Sequence, residues 1–418
     1  MAKGGREPFS GAGRKEKGSR PPFPPFRLES WRTSAQCKVA NVSVSKAPTH
    51  DALLRDLTVA LFSPHTDLAW PPAVDVPAFL ASAAADGVLG LLYARVHASG
   101  AVHRLPPALV EGLRAGAHRQ AGTEAVQRVE LQGLVAATQT SGVEMLLMKG
   151  ASLAYDVYQE PAWRVRLDVD MFIRPGDRPR IRACLAELGY AFPTEMSGEL
   201  ATFQFRGERA GALGIRHVCD VHWKVVNPQR FADAVQFDEL AEAAVPLPAL
   251  GPGARGLGRT HALWLACVHR VAHHYDRETL LWVYDVHLLV EAMDAGSLEC
   301  FIALADRTGA RQICLRALLL ARTYFGTTIP PSTLAALETA PGREPSTVFL
   351  GTGVRQVDVL RDNLHALPGW RARLTLLKEH LFPPETYMRE TYARGSSAPL
   401  LWLYLRRIVA GAPKWFRR

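Results

Sequence analysis

Nothing in the 418 residues reads as a membrane-spanning or secretory segment. No apolar run approaches the roughly 18 residues that a spanning helix needs. The opening MAKGGREPFSGAGRKEKGSRPPFPPF puts charge and proline where a signal peptide would be apolar, so no secretory signal is expected. Cysteine is scarce: Cys37, Cys184, Cys219, Cys267, Cys300 and Cys314 are scattered and form no C-x-x-C pair. That excludes the spacing of a structural zinc site and the density of a disulfide scaffold, and a cytoplasmic, reducing setting is the expectation. Walker A and G-x-G-x-x-G motifs are missing, which disfavours P-loop and Rossmann readings. His269 and His273 lie four apart, but the segment reads H-R-V-A-H and lacks the glutamate of H-E-x-x-H. No internal repeat occurs.

What is present is apolar material, 48% of the chain, enough for sizeable cores and for two or three structural units. The net charge of +9 suggests nucleic-acid binding until its distribution is read. Residues 1–50 hold ten Lys/Arg against Glu7, Glu16 and Glu29, so seven of the nine net charges belong to this leader. Basicity thus marks a tail rather than a folded binding face, and nucleic acid enters only as an acceptor or through that leader.

Residues 1–48 are rich in Gly, Pro, Arg, Lys and Ser and read as a disordered basic leader. Apolar residues at three- and four-residue steps then predict helices over 51–63, 77–98 and 106–140, an N-terminal helical region spanning 49–142. Residues 143–228 read as strand, helix, strand, helix and a final hairpin. Strands are expected at 143–148, 167–173, 201–206 and 214–225, with GERAGALG as the hairpin turn. Helical periodicity returns in a C-terminal region, 229–418. The fold class is therefore α+β: a mixed-sheet core flanked by helical regions. The last segment, PLLWLYLRRIVAGAPKWFRR, is a core-packed helix with a basic tail, with peripheral membrane contact as the lesser alternative.

The informative stretch is MKGASLAYDVYQEPAWRVRLDVDMFIRPGD. Residues two apart on a strand face the same way, about 6.6 Å apart at roughly 3.3 Å per residue. Asp168 and Asp170 then share one face while Val169, Met171 and Ile173 face a core. Two ionised carboxylates side by side repel, and a hard, oxygen-preferring divalent cation such as Mg²⁺ resolves the conflict. In GIRHVCDVHWKVV, Asp220 and His222 alternate against Cys219, Val221 and Trp223, so Asp220 completes a triad if that strand lies beside the first. A D-x-D pair alone is usually a solvated strand end. Here it sits in an apolar strand, follows a Lys149-Gly150 turn whose helix start can hold phosphate, and is joined by a third aspartate. Trp223 is expected in the core.

These stretches resemble the nucleotidyltransferase superfamily of the DNA polymerase β type. They are most similar to a largely uncharacterised bacterial family within it and more distantly to AbiEii-type nucleotidyltransferases. The resemblance rests on LLMKGASLAYDVY (146–158), RVRLDVDMFI (164–173), LAELGY (185–190), CDVHWKVV (219–226), LLWVYDVHLLV (280–290) and LFPPETYMRETYARG (381–395), and runs from about 52 to about 410. It implies that Asp168, Asp170 and Asp220 are catalytic and hold Mg²⁺ or Mn²⁺, Asp220 helping to activate the attacking hydroxyl. It also implies that Lys149, Gly150 and Ser152 form the phosphate turn, although Gly150-Ala151 replaces the usual Gly-Gly or Gly-Ser. Arg164 either neutralises phosphate or braces the aspartates. Asp285 orients nucleotide or Lys149, and His222 supports the metal ligands. The implied activity is transfer of an NMP from an NTP, ATP among them, to a protein, small molecule or RNA. The alternatives are a catalytically silent nucleotide- or partner-binding module and γ-phosphate transfer on the same fold.

Overall fold

A computed structural model describes residues 49–63, 70–71, 74–194, 198–338, 344–351, 354–393 and 397–416. The basic leader expected over 1–48 lies outside them. Four helices come first: α1 (His50–Phe62), α2 (Val76–Ala85), α3 (Leu89–Ala98) and α4 (Pro107–Thr140). The helix expected over 77–98 is two. Gly87 adopts a left-handed φ of 75° between α2 and α3, a turn that L side chains rarely make. No single helix among the described residues is long and apolar enough to cross a membrane; α2 and α3 reach that length only together and are bent by 113°.

The sheet follows, with β1 (Met145–Met148), α5 (Lys149–Asp156), β2 (Val169–Ile173), α6 (Arg178–Glu187), β3 (Gln204–Ala210) and β4 (Arg216–His222). Beyond α7 (Gln229–Ala232) and α8 (Phe237–Glu242), short strands β5 (Val245–Pro246) and β6 (Arg255–Gly256) extend the sheet past the stretch where strands were expected. The order is β3-β4-β2-β1-β6-β5, with β2–β4 and β1–β6 parallel and the other neighbours antiparallel. The β3–β4 hairpin exists, but Gly207–Ala210 belong to β3, so the turn is shorter than the GERAGALG expected. Register explains why: Gly207 pairs with Cys219 and Ala210 with Arg216, and the reversal is left to 211–215.

The remainder is helical: α9 (Arg259–His274), α10 (Leu280–Glu291), α11 (Ala295–Arg307), α12 (Arg311–Phe325), α13 (Pro331–Glu338), α14 (Gln356–Ala366), α15 (Gly369–Leu381), α16 (Glu385–Met388) and α17 (Leu400–Phe416). One continuous core joins these helices to the sheet: Leu57 of α1, Leu91 of α3, Leu146 of β1, Phe172 of β2, Leu263 of α9 and Leu318 of α12 belong to it. A second core on the other face packs Met171, Ile173 and Val221 against Leu131 of α4 and Leu185 of α6. β2 thus divides its side chains between two apolar layers, which fixes its register against slippage. In α17, Leu403 is buried while Leu401, Trp402, Leu405 and Val409 are exposed, so that helix is not wholly core-packed.

Behind the Lys149-Gly150 turn, β6 approaches α5 so closely that a Cβ on Gly256 would overlap the Ser152 Oγ. Gly256→Ala should destabilise the protein by about 1–3 kcal/mol. Combining it with Ser152→Ala should recover part of the loss, read as non-additivity in urea denaturation.

Candidate active site

Parallel pairing of β2 with β4 sets Asp170 directly opposite Asp220 and Phe172 opposite His222. Side chains opposite one another on neighbouring strands leave the same face, with strands about 4.8 Å apart. Both aspartates are buried, and ligand atoms of Asp170, Asp220 and His222 all lie within 4.8 Å of one another. Asp168 lies one residue before β2 rather than within it, so the strand expected from 167 starts later. Its carboxylate is nonetheless close enough to feel both partners: burial first, then the Asp170 and Asp220 charges, push its pKa up to about 6. Asp170 and Asp220 thus converge with His222, and Asp168 stands within electrostatic reach of both acids.

Cations meet two of them. Lys149 Nζ donates to Asp170 Oδ1 at 2.6 Å, and His222 Nε2 lies 2.9 Å from the same oxygen. Burial opposes ionisation of Asp170, but the Lys149 charge and the His222 hydrogen bond outweigh it and hold the carboxyl well below its usual range. Arg206 Nε donates to Asp220 Oδ1 at 3.0 Å, with Gln204 Nε2 3.5 Å from Oδ2. Lys149 holds a left-handed φ of 51°, an uncommon conformation for a side-chain-bearing residue, at the first position of α5. The strain sits where β1 turns into the helix and aims the ammonium at the carboxylates.

Arg164 and Asp285, both expected near the nucleotide, are joined to each other. Arg164 Nε and Nη2 donate to the two Asp285 oxygens at 2.7 and 2.8 Å, Tyr158 Oη donates to Asp285 Oδ1 at 2.7 Å, and Arg164 Nη1 donates to the Val165 carbonyl at 2.7 Å. The Asp285 carboxylate is thus occupied by Arg164 and Tyr158 rather than by Lys149. The guanidinium lies against Gly150, where an added Cβ would stand 3.1 Å from Nη1. A side chain at Gly150 would therefore press on the guanidinium and shift it by a few tenths of an ångström. Ser152 is buried at 1% exposure, with its hydroxyl turned toward β6 and without a hydrogen-bond partner. Ser152, expected in the phosphate turn, thus sits with its hydroxyl against Gly256 of β6. Trp223, expected in the core, is half-buried with the Arg178 guanidinium 4.9 Å from its ring.

Arg206 and Gln204 were not anticipated. Their signal is the hairpin register, which sets Arg206 opposite Asp220, and a strand boundary misplaced by a few residues hides it.

The donor set suits a hard divalent cation: the Asp170 and Asp220 carboxylates with His222 among them and Asp168 within electrostatic reach, partly balanced by the protein's own ammonium and guanidinium groups. His222 Nδ1 is buried without a partner, so the imidazole has one free nitrogen beside the cluster.

A family model described as an uncharacterised nucleotidyltransferase matches residues 72–326. The chain belongs to that family. It is accordingly a nucleotidyltransferase with an α+β fold. No protein of curated function matches it. Among solved structures, it is similar to the antibiotic-resistance factor ANT(2'')-Ia at 16% identity, covering 45% of this chain and 96% of that one, with a TM-score of 0.32. It is also similar to JHP933 from Helicobacter pylori at 12% identity, covering 51% and 94%, with a TM-score of 0.30. Neither likeness bears on substrate.

Two outcomes test this electrostatic arrangement. Asp168 keeps its proton to higher pH in the folded chain than in the unfolded one. Its contribution therefore lowers stability as pH rises from about 4 to about 6, and the penalty is complete above that. Without divalent ions, Asp168→Asn should raise Tm at pH 7.5 and leave it unchanged near pH 3.5. Asp285→Asn should lower stability by about 3–5 kcal/mol, because it leaves the Arg164 charge buried without its counterion.

Proposed function

We propose that this nucleotidyltransferase moves an NMP from an NTP onto a hydroxyl-bearing acceptor with release of pyrophosphate. Asp168, Asp170 and Asp220 would hold the divalent cation, Mg²⁺ or Mn²⁺. The observation that carries this reading is the in-register opposition of Asp170 and Asp220 on parallel strands, with Asp168 close enough to be raised by both. A binding module has no need of three converging acids, since each raises the others' cost of ionisation.

When bound, the cation neutralises charge developing on the α-phosphate and aligns nucleophile and leaving group. The chain's own groups do the rest. Lys149 balances Asp170 in the free protein and is the ammonium next to an incoming phosphate. Asp220, steadied by Arg206, accepts the proton of the attacking hydroxyl. The new bond joins that oxygen to the α-phosphorus, and the bond from the α-phosphorus to the bridging oxygen breaks as pyrophosphate departs. The Arg164–Asp285–Tyr158 cluster works one layer behind, holding the Gly150 turn in place. The acceptor is a protein side chain, a small molecule or an RNA end.

Incubation with ATP labelled at the α or the γ position, in Mg²⁺ or Mn²⁺, tests the reading. Transfer of α-label with pyrophosphate release is expected. Transfer of γ-label would establish phosphoryl transfer instead, and nucleotide binding without any transfer would establish a silent module. Asp170→Asn should abolish transfer, and Asp220→Asn should slow it on the order of 10²–10⁴-fold.

A further inference from the structure

Three histidines of α9 have no part in the chemistry above, yet α9 packs against α5, the helix that Lys149 opens. The Lys149 charge reaches His269, His273 and His274, and the Asp170 charge reaches His273 and His274. The rings are contiguous. His274 lies on Trp282 of α10 at 4.1 Å between centroids and 31° between planes. His269 follows edge-on, 4.9 Å from His274 with planes 68° apart, and His273 lies 5.0 Å from His269 with planes 30° apart.

All four rings are half-buried, set back from the surface without being sealed in. No hydrogen bond joins the three imidazoles to another described residue, and the Nε2 of His273 is buried and unpartnered. The buried, unmatched His273 Nε2 is a hydrogen-bonding group that a ligand at this wall could meet. Burial and the Lys149 charge keep the imidazoles neutral, with His273 lowered to about 3 and His274 to about 4. A neutral wall is poorly suited to gripping phosphate and well suited to a flat, uncharged ring.

Two left-handed residues end α9 directly after the histidines. Tyr275 and Asp276 both take left-handed φ values, 52° and 58°. Asp276 is buried and anchored to Arg270, and it accepts from the Gly351 N–H at 3.1 Å.

We infer that the Trp282–His274–His269–His273 row is the surface that takes the nucleobase of the donor NTP, His274 stacking on its face and the free His273 Nε2 meeting a polar atom on its edge. The inference rests on the proposed use of an NTP. It follows from connectivity: the ribose separates base from α-phosphate by a few bonds, so an aromatic surface bordering the carboxylates and Lys149 lies where the base falls.

The test compares binding of a non-hydrolysable ATP analogue with binding of inorganic tripolyphosphate, both with Mg²⁺, by calorimetry on the full chain. In His274→Ala the analogue should bind about tenfold more weakly, the effect of one lost stacking contact. Tripolyphosphate affinity should be unchanged, which also reports that the variant is folded. His274→Phe should bind the analogue within about threefold of the parent chain, because the ring and not its proton is what counts. Equal weakening of both ligands would overturn the inference in favour of a phosphate-gripping wall. An unchanged analogue affinity would show that the rings are packing alone. If the parent chain bound tripolyphosphate but gained nothing from the nucleoside, the base site would fall while the metal site stood. If it bound neither ligand, the donor reading would fall and the base site with it.

Discussion

Two carboxylates leaving neighbouring parallel strands toward the same space repel each other, and the architecture around the site answers that repulsion. The opposition of Asp170 and Asp220 is imposed by backbone register, not chosen by the side chains. Register in turn is held because Met171 and Ile173 enter one core while Phe172 enters another, so a slip of one residue would turn every apolar group the wrong way. Lys149 from the β1–α5 turn and Arg206 from the edge strand β3 approach the two acids from opposite sides of the central pair. Packing energy thus holds charges where electrostatics alone would part them.

The second constraint runs between distant parts of the chain. Arg164 and Asp285 are 121 residues apart, yet they form a paired buried contact against Gly150. A buried ion pair is a weak source of stability, because desolvation offsets most of its attraction, but breaking it strands a charge in the interior. Its value here is positional. The helix α10 that carries Asp285 also carries Trp282, and its neighbour α9 carries the histidine row. The contact therefore ties the helical part of the chain to the turn that faces the carboxylates.

Much of the site was legible because strand periodicity is local. Alternation in 167–173 and in 215–223 put Asp170, Asp220 and His222 on chosen faces, and the sheet places them so. What was illegible depended on long-range partners. Arg164 carries no mark in the sequence that distinguishes a phosphate ligand from half of a buried pair; only Asp285 decides it. Ser152 reads as a phosphate contact until β6, a two-residue strand too short to give a periodic signal, turns out to lie against it. The split of 77–98 into two helices hinges on one glycine inside an otherwise helical pattern. Arg206 was hidden by strand boundaries, which short apolar segments define poorly.

Asp168 differs from its two companions, and the difference has a physical meaning. Asp170 and Asp220 each have a cation within 3.0 Å, whereas Asp168 has no ion-pair partner among the described residues. It sits at the strand's mouth rather than in its ladder, next to the fully exposed side of Leu167, which is 84% accessible. A carboxylate left unmatched beside two others lowers the stability of the free protein, and nothing in the packing requires it. Such a residue makes sense as the part of the cluster whose balancing charge arrives with the reaction. Lys149 also keeps a left-handed φ that side-chain-bearing residues seldom adopt, and from it donates to Asp170. On the proposed reading, a divalent cation and an anionic substrate offset both costs, so the features that weaken the fold are the ones that serve the reaction.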